Sequence, residues 1–119
     1  MELSVIVNEF GGRQVAEVTA GTVATARDIT DLVGNASFGG AEYVLLEREQ
    51  LADEFYDLSS GLAGELMQKL ANYRLKLLVI GELSGVSDSF RAFALEGDRS
   101  GTALFPRDRE AAAERLKSA

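Results

Sequence analysis

The sequence contains no cysteine and no histidine among its 119 residues. Their absence excludes disulfides, thiolate nucleophiles and imidazole bases, and it removes the usual protein ligands of zinc, haem and iron–sulfur clusters. Any chemistry must therefore come from carboxylates, hydroxyls, lysine, arginine or tyrosine. We expect no metal site, no cofactor and no catalytic residue.

Positive charge and long apolar runs are also scarce. The chain has 12 basic and 19 acidic residues, which give a net charge of −7. Such a surface repels phosphate backbones and anionic lipids. No run approaches membrane-spanning length, and the N-terminus lacks the basic region of a signal peptide. We therefore expect a cytoplasmic protein that binds neither nucleic acid nor membrane.

A chain of this length fits one domain, here residues 1–119. It opens with two β-rich stretches, residues 3–7 and 13–18, on either side of Gly11 and Gly12, a pattern that predicts a β-hairpin. Thr25 and Asp28 then have the spacing of a capping box, so a first helix should follow and end near residues 39–40.

The central stretch, residues 56–81, reads as a loop, a helix and a buried strand. Apolar residues recur there at helical spacing, at Leu58, Leu62, Ala63, Leu66, Met67, Leu70 and Tyr73. Residues 75–80 contain a single polar break, Lys76, and end at Gly81, as expected of a strand covered on both sides.

The flanking patterns complete the prediction. Further strands are expected at residues 42–47 and 102–105, and a polar connection at 48–57. Ser87 and Asp108 are predicted to cap the last two helices, with a loop over residues 97–101 between them. The predicted order is β-β-α-β-α-β-α-β-α, which indicates a compact α/β domain with a mostly parallel sheet. Helices could cover both faces of that sheet or only one.

Four segments carry a family resemblance: residues 29–36 (ITDLVGNA), 40–44 (GAEYV), 55–65 (FYDLSSGLAGE) and 72–74 (NYR). Through them most of the chain resembles the bacterial domain-of-unknown-function family 4180. That family implies no activity.

The element order, and residues 59–62 (SSGL) opening a helix after a strand, are similar to the STAS domain of bacterial anti-sigma factor antagonists. That resemblance implies a STAS-like fold and a hydroxyl, two residues before the leucine, that a partner kinase phosphorylates. By position this hydroxyl belongs to Ser60. The sequence departs from the STAS pattern because Leu58 separates Asp57 from the serine pair.

Two interpretations of this helix start stay open. Asp57, Ser59 or Ser60 could be the helix N-cap, or Ser60, and secondarily Ser59, could be a phosphoacceptor. Gly61 and Gly64 each cost helix stability, which predicts a close approach, either by a neighbouring element or by a ligand or protein partner.

The leading hypothesis is a non-enzymatic, regulatory protein-interaction module that presents residues 57–64. The alternative is a small-ligand-binding domain or modest enzyme with a pocket at the carboxyl ends of the strands, near Glu47, Ser60, Gly81 and Glu82. The other carboxylates considered as acid–base partners are Glu42, Asp53, Glu54, Asp57 and Glu65. A homo-oligomer could form through the hairpin edge or the last helix.

Overall fold

A computed structural model describes residues 3–119. Five strands and four helices follow one another in the predicted order. The strands are β1 (Ser4–Phe10), β2 (Arg13–Ala20), β3 (Tyr43–Glu47), β4 (Lys76–Ile80) and β5 (Ala103–Leu104). The helices are α1 (Ala26–Phe38), α2 (Leu62–Asn72), α3 (Asp88–Ser100) and α4 (Arg109–Lys117). The α/β fold predicted from the sequence is confirmed.

The strands form one sheet in the order β1-β2-β3-β4-β5, which is also their order in the sequence. β1 and β2 are antiparallel and joined by the tight turn at Gly11 and Gly12, as predicted. From β2 to β5 every pair is parallel. The sheet is therefore mostly parallel, with the hairpin supplying its one antiparallel edge strand.

The helices lie on both faces of the sheet, three against one. Each parallel crossover is expected to be right-handed, and successive crossovers step in the same direction, so α1, α2 and α3 are placed on the same face. There they bury the larger apolar core, which includes Ile29, Leu66 and Phe90. On the other face, α4 buries Ala112 and Leu116 against β2 to β5. Because both faces are covered, β3 and β4 are almost wholly apolar.

Three predicted helix caps are confirmed. The Thr25 hydroxyl accepts a hydrogen bond from the Asp28 amide, and the Asp28 carboxylate accepts one from the Thr25 amide, which completes the capping box of α1. The backbone hydrogen bond from Ala24 lowers the pKa of Asp28, and the weaker one from Thr25 lowers it further. Ser87 caps α3 and Asp108 caps α4.

The prediction of a loop over residues 97–101 is wrong, because α3 continues to Ser100. The helix ends at Gly101, which has the left-handed conformation (φ 77°). Gly97, the first residue of the predicted loop, lies inside α3 and is a packing residue. A Cβ atom at Gly97 would lie 2.8 Å from the Cβ of Ala103, so the missing side chain lets α3 rest directly on β5.

Candidate functional site

Segment 57–64 lies on the surface between β3 and α2. After β3 the chain makes three short 3-10 turns, the last over Leu58–Ser60, before α2 begins. Asp57, Ser59, Ser60, Gly61 and Gly64 are exposed. Nearby, Phe55 is fully buried and Leu62 nearly so, and these two residues hold the segment against the core. The turn is thus anchored at both ends while its polar groups face solvent.

The two serines of this segment have different hydrogen-bond partners. The Ser60 hydroxyl donates to the Glu54 carbonyl (2.6 Å) and accepts from the Leu62 amide (3.2 Å). The Ser59 hydroxyl donates to the Asp57 carboxylate (2.6 Å), which also accepts from the Ser59 amide (3.1 Å). Ser60 therefore ties the preceding turn to the start of α2, whereas Ser59 bonds only within its own turn.

The helix cap differs from the prediction that Asp57, Ser59 or Ser60 is the N-cap of the central helix. Gly61, in the left-handed conformation (φ 83°), is the N-cap residue of α2, and Asp57 caps the short 3-10 turn instead. The left-handed residue separates the turn from the helix, and the 58–73 apolar periodicity did not reveal this break because Leu58 still contacts the core. Ser60 nevertheless satisfies one free amide of α2.

The close approach predicted at Gly61 and Gly64 from a neighbouring element is also wrong. A Cβ atom at either position would meet nothing within 4 Å. Gly61 is explained by its backbone conformation, since a positive φ strongly favours glycine. Gly64 has ordinary helical geometry and leaves a bare patch of backbone on the exposed side of α2. It lines a shallow groove of about 310 Å³ with Met67, Gln68, Ala71, Leu75 and Thr102.

Two of the six carboxylates considered as acid–base partners, Glu47 and Glu42, form ion pairs with arginine. Glu47 and Glu17 both contact Arg109, at 3.2 Å and 3.1 Å, on the face covered by α4. Glu42 pairs with Arg13. Within residues 3–119 the other four carboxylates considered, Asp53, Glu54, Asp57 and Glu65, are exposed and form no ion pair. No polar or charged side chain of this part of the chain is buried.

A second polar cluster at the carboxyl end of the sheet was missed by sequence reasoning. Arg48, directly after β3, donates to the carbonyls of Glu82 and Ser84 (2.8 Å to Ser84), and its guanidinium lies over the Tyr56 ring. The Tyr56 hydroxyl donates back to the Arg48 carbonyl (2.7 Å). Burial raises the pKa of Tyr56 well above its usual range, although Arg48 opposes the shift.

This cluster fills the place where the sequence suggested a pocket. Gly81 has a positive φ (135°), and a Cβ atom there would lie 3.0 Å from the Arg48 side chain. Glu82 takes part through its backbone carbonyl, while its side chain is exposed. Glu47, Ser60, Gly81 and Glu82 line none of the four main clefts formed by residues 3–119.

The largest of these clefts lies elsewhere, between α3 and α4, beyond the edge strand β5. Its volume is about 610 Å³. Apolar residues form much of its lining, namely Leu83, Ala94, Leu95, Phe105, Pro106 and Ala111. Arg91, Arg107, Arg115 and Asp98 complete it. No signal in the sequence placed these residues together, since they come from a loop, two helices and the chain after β5.

The described part of the chain shows no group of three or more carboxylate, histidine or cysteine residues placed to hold a metal ion. Between residues 3 and 119 no helix has the length and apolar character needed to cross a membrane. Residues 10–116 match the model of a family described as a domain of unknown function, DUF4180. No curated protein and no solved structure matches the chain.

Proposed function

Because the chain belongs to the DUF4180 family, which assigns no activity, we propose from its own geometry that it is a regulatory, non-enzymatic protein-interaction module. The surface offered to the partner is segment 57–64, and the setting proposed is the bacterial cytoplasm. The observation that carries the proposal is the exposure of this segment on an anchored turn. A fixed but solvent-facing loop is the usual place for recognition residues.

Gly64 supports a partner at this surface. A glycine inside a helix costs about 1 kcal/mol relative to alanine. No contact within the described chain requires glycine at position 64, because a Cβ atom there would enter open space. A partner whose backbone rests on α2 would use the bare patch, and this contact would account for a residue that the isolated fold does not require.

Ser60 is the better candidate phosphoacceptor of the two serines. A phosphate on Ser60 would keep the acceptor role toward the Leu62 amide and would lie at the N-terminus of α2, where the helix dipole favours negative charge. It would lose the hydrogen bond donated to the Glu54 carbonyl, so the turn would be released. At Ser59 the phosphate would face the Asp57 carboxylate directly. The similarity of residues 59–62 to STAS domains also favours Ser60.

The phosphoacceptor proposal is tested by peptide-mapping mass spectrometry of the protein purified from its source cells. Substoichiometric phosphate on Ser60, with Ser59 unmodified, is the expected result. If no phosphate is found on this peptide under any growth condition, Ser60 is left as a structural residue that joins the turn to α2.

The interaction surface is tested separately by site-directed photo-crosslinking. A photoreactive residue replaces Gly64, and in a matched control it replaces Thr30, which is exposed on α1. In the source cells we expect a discrete adduct from position 64 that is absent at position 30. Identical adduct patterns at the two positions, or none at position 64, would contradict the assignment of this surface.

Homo-oligomerisation stays a prediction. The outer edge of β1 has no partner strand among residues 3–119. An exposed apolar side chain lies near this edge on each face of the sheet: Ile6 on β1, on the face opposite Val5 and Val7, and Phe38 at the end of α1. A second copy would cover them, so this edge is the proposed location of any self-contact.

A further inference from the structure

The cleft between α3 and α4 has the composition of a ligand site rather than of a gap in packing. Its volume of about 610 Å³ lies within the usual range of small-molecule sites, roughly 300–1,000 Å³. Its apolar surface is combined with three arginines in a chain that is otherwise acidic, with a net charge of −7. Arginine recognises planar anions through paired N–H donors.

The two helices place the charges in order along the cleft. Arg91, Leu95 and Asp98 recur at i, i+4 and i+7 on α3, so they share one side of that helix. Asp98 forms an ion pair with Arg115, late in α4. α3 joins the parallel strands β4 and β5 and so runs against the strand direction. α4 does the same, because Arg109 at its start contacts Glu47 at the end of β3 and Ala119 after its end accepts from Arg13 at the start of β2. Arg91 therefore belongs to the opposite end of the cleft from Asp98, about 10 Å away along the helix.

That opposite end carries Arg91, and Asp98 is the one carboxylate among the described residues that line the cleft. Arg91 forms no ion pair within residues 3–119. Arg107 pairs only with its neighbour Asp108, at 3.6 Å, and both side chains are more than half exposed. Such an exposed ion pair is weak, so an incoming anion can replace Asp108 as the partner of the Arg107 guanidinium.

We propose that this cleft binds a small organic anion with an apolar body. Arg91 and Arg107 hold the anionic group, while Leu95, Phe105 and Ala111 contact the apolar part. Leu95 is 63% exposed, which is high for a leucine and is explained if a ligand covers it. The site is independent of segment 57–64 and goes beyond the proposed interaction function.

The probe for the test is 8-anilinonaphthalene-1-sulfonate, an aromatic body with one anionic group, titrated by fluorescence. N-phenyl-1-naphthylamine, which has the same rings without the sulfonate, is the matched uncharged probe. We expect saturable binding of the sulfonate to the full-length protein, weaker binding of the uncharged probe, and loss of sulfonate affinity as salt is raised. No saturable binding of the sulfonate, or equal binding of the two probes, would overturn the proposal.

Variants test the named residues. Arg91→Gln combined with Arg107→Gln should weaken sulfonate binding by about tenfold or more, because charge-assisted hydrogen bonds are lost. Arg27→Gln combined with Arg74→Gln removes the same charge at exposed positions outside the cleft and should leave binding unchanged. Leu95→Ser should weaken it through the apolar contact. Unchanged binding by the Arg91 and Arg107 variant would overturn the proposal.

A measurement on the unmodified protein avoids any folding defect of the variants. On addition of the sulfonate, the backbone amide shifts that move in nitrogen-15 correlation spectra should cluster at residues 91–98 and 105–115. Shifts confined to segment 57–64 would overturn the cleft assignment. Binding of a polyglutamate peptide without binding of the sulfonate would likewise overturn it and assign the arginines to an acidic protein partner.

Discussion

Tyr56 shows how one residue links the polar cluster at the end of the sheet to the core. Its ring contacts Phe55 and Phe90 in the larger core, while its hydroxyl donates to the Arg48 carbonyl. The phenol is therefore held in its neutral form. Because burial raises the pKa of Tyr56 above its ordinary value of 10.0, the folded protein keeps a proton that the unfolded chain loses first.

We predict a loss of stability in alkali that depends on Tyr56. Below about pH 9 the hydroxyl should contribute about 1 kcal/mol to the free energy of unfolding through its hydrogen bond. As the pH rises through the unfolded-state pKa of about 10, ionisation stabilises only the unfolded chain, so this contribution falls. Urea unfolding of the wild type and of Tyr56→Phe at several pH values measures the difference between them.

Tyr73→Phe is the control, because Tyr73 is 54% exposed. Because its side chain is half exposed, its replacement should change the free energy of unfolding less than Tyr56→Phe does. A Tyr56→Phe difference that is insensitive to pH would show that the phenol does not resist ionisation in the folded state.

Contacts between elements determine where helices end, and Gly97 is the clearest case. We predict that Gly97→Ala destabilises the protein by about 1–3 kcal/mol, because the new methyl group would force α3 away from β5. Gly34→Ala is the matched substitution in α1, where a Cβ atom meets nothing within 4 Å. It should instead stabilise by about 0.5–1 kcal/mol. Chemical denaturation compares them, and equal effects at both positions would contradict this role for Gly97.

The helix ends also show which parts of the fold were predictable from sequence. Caps at Thr25, Ser87 and Asp108 were found because capping depends on a side chain and an amide only three residues apart. The loop over residues 97–101 was predicted wrongly because the role of Gly97 depends on Ala103, and local propensity does not show that a glycine is needed for packing. The side of the sheet taken by α4 was likewise open, since sequence order alone does not choose it.

In the candidate site, too, local features were predictable from the sequence and long-range contacts were not. The turn at residues 57–60 and its polar residues are local features, so its position was predicted. The ion pairs of Arg109 with Glu17 and Glu47 were not predicted, because each glutamate is 62 or more positions from Arg109 in the chain. The arginine cleft was missed for the same reason. Charge pairing across the chain leaves no spacing pattern in a single sequence.

At the scale of the whole molecule, two apolar cores share one five-stranded sheet. Leu66 lies in the core under α1 to α3, and Leu116 lies in the core under α4. Alternate residues of β3 and β4 point into each core, so neither core can open without disturbing the same strands. The structure therefore predicts one cooperative unfolding transition.

Leu66→Ala and Leu116→Ala, both at fully buried positions, test this prediction from opposite faces of the sheet. Each should lower the free energy of unfolding by about 2–5 kcal/mol. Far-UV circular dichroism and tyrosine fluorescence should still report coincident single transitions. Leu95→Ala, at an exposed position, should change stability by less than about 0.5 kcal/mol. Separate transitions in the Leu116→Ala variant would show that α4 unfolds independently.

The identity of strand order in the sheet and in the sequence has a consequence for synthesis on the ribosome. Each strand from β2 onward finds its neighbour already made, so the sheet can grow from one side as the chain emerges, without waiting for a distant partner. The face covered by α4 stays bare until that helix appears. We expect the nascent chain to need protection there, and this need ends only with the last turn of α4.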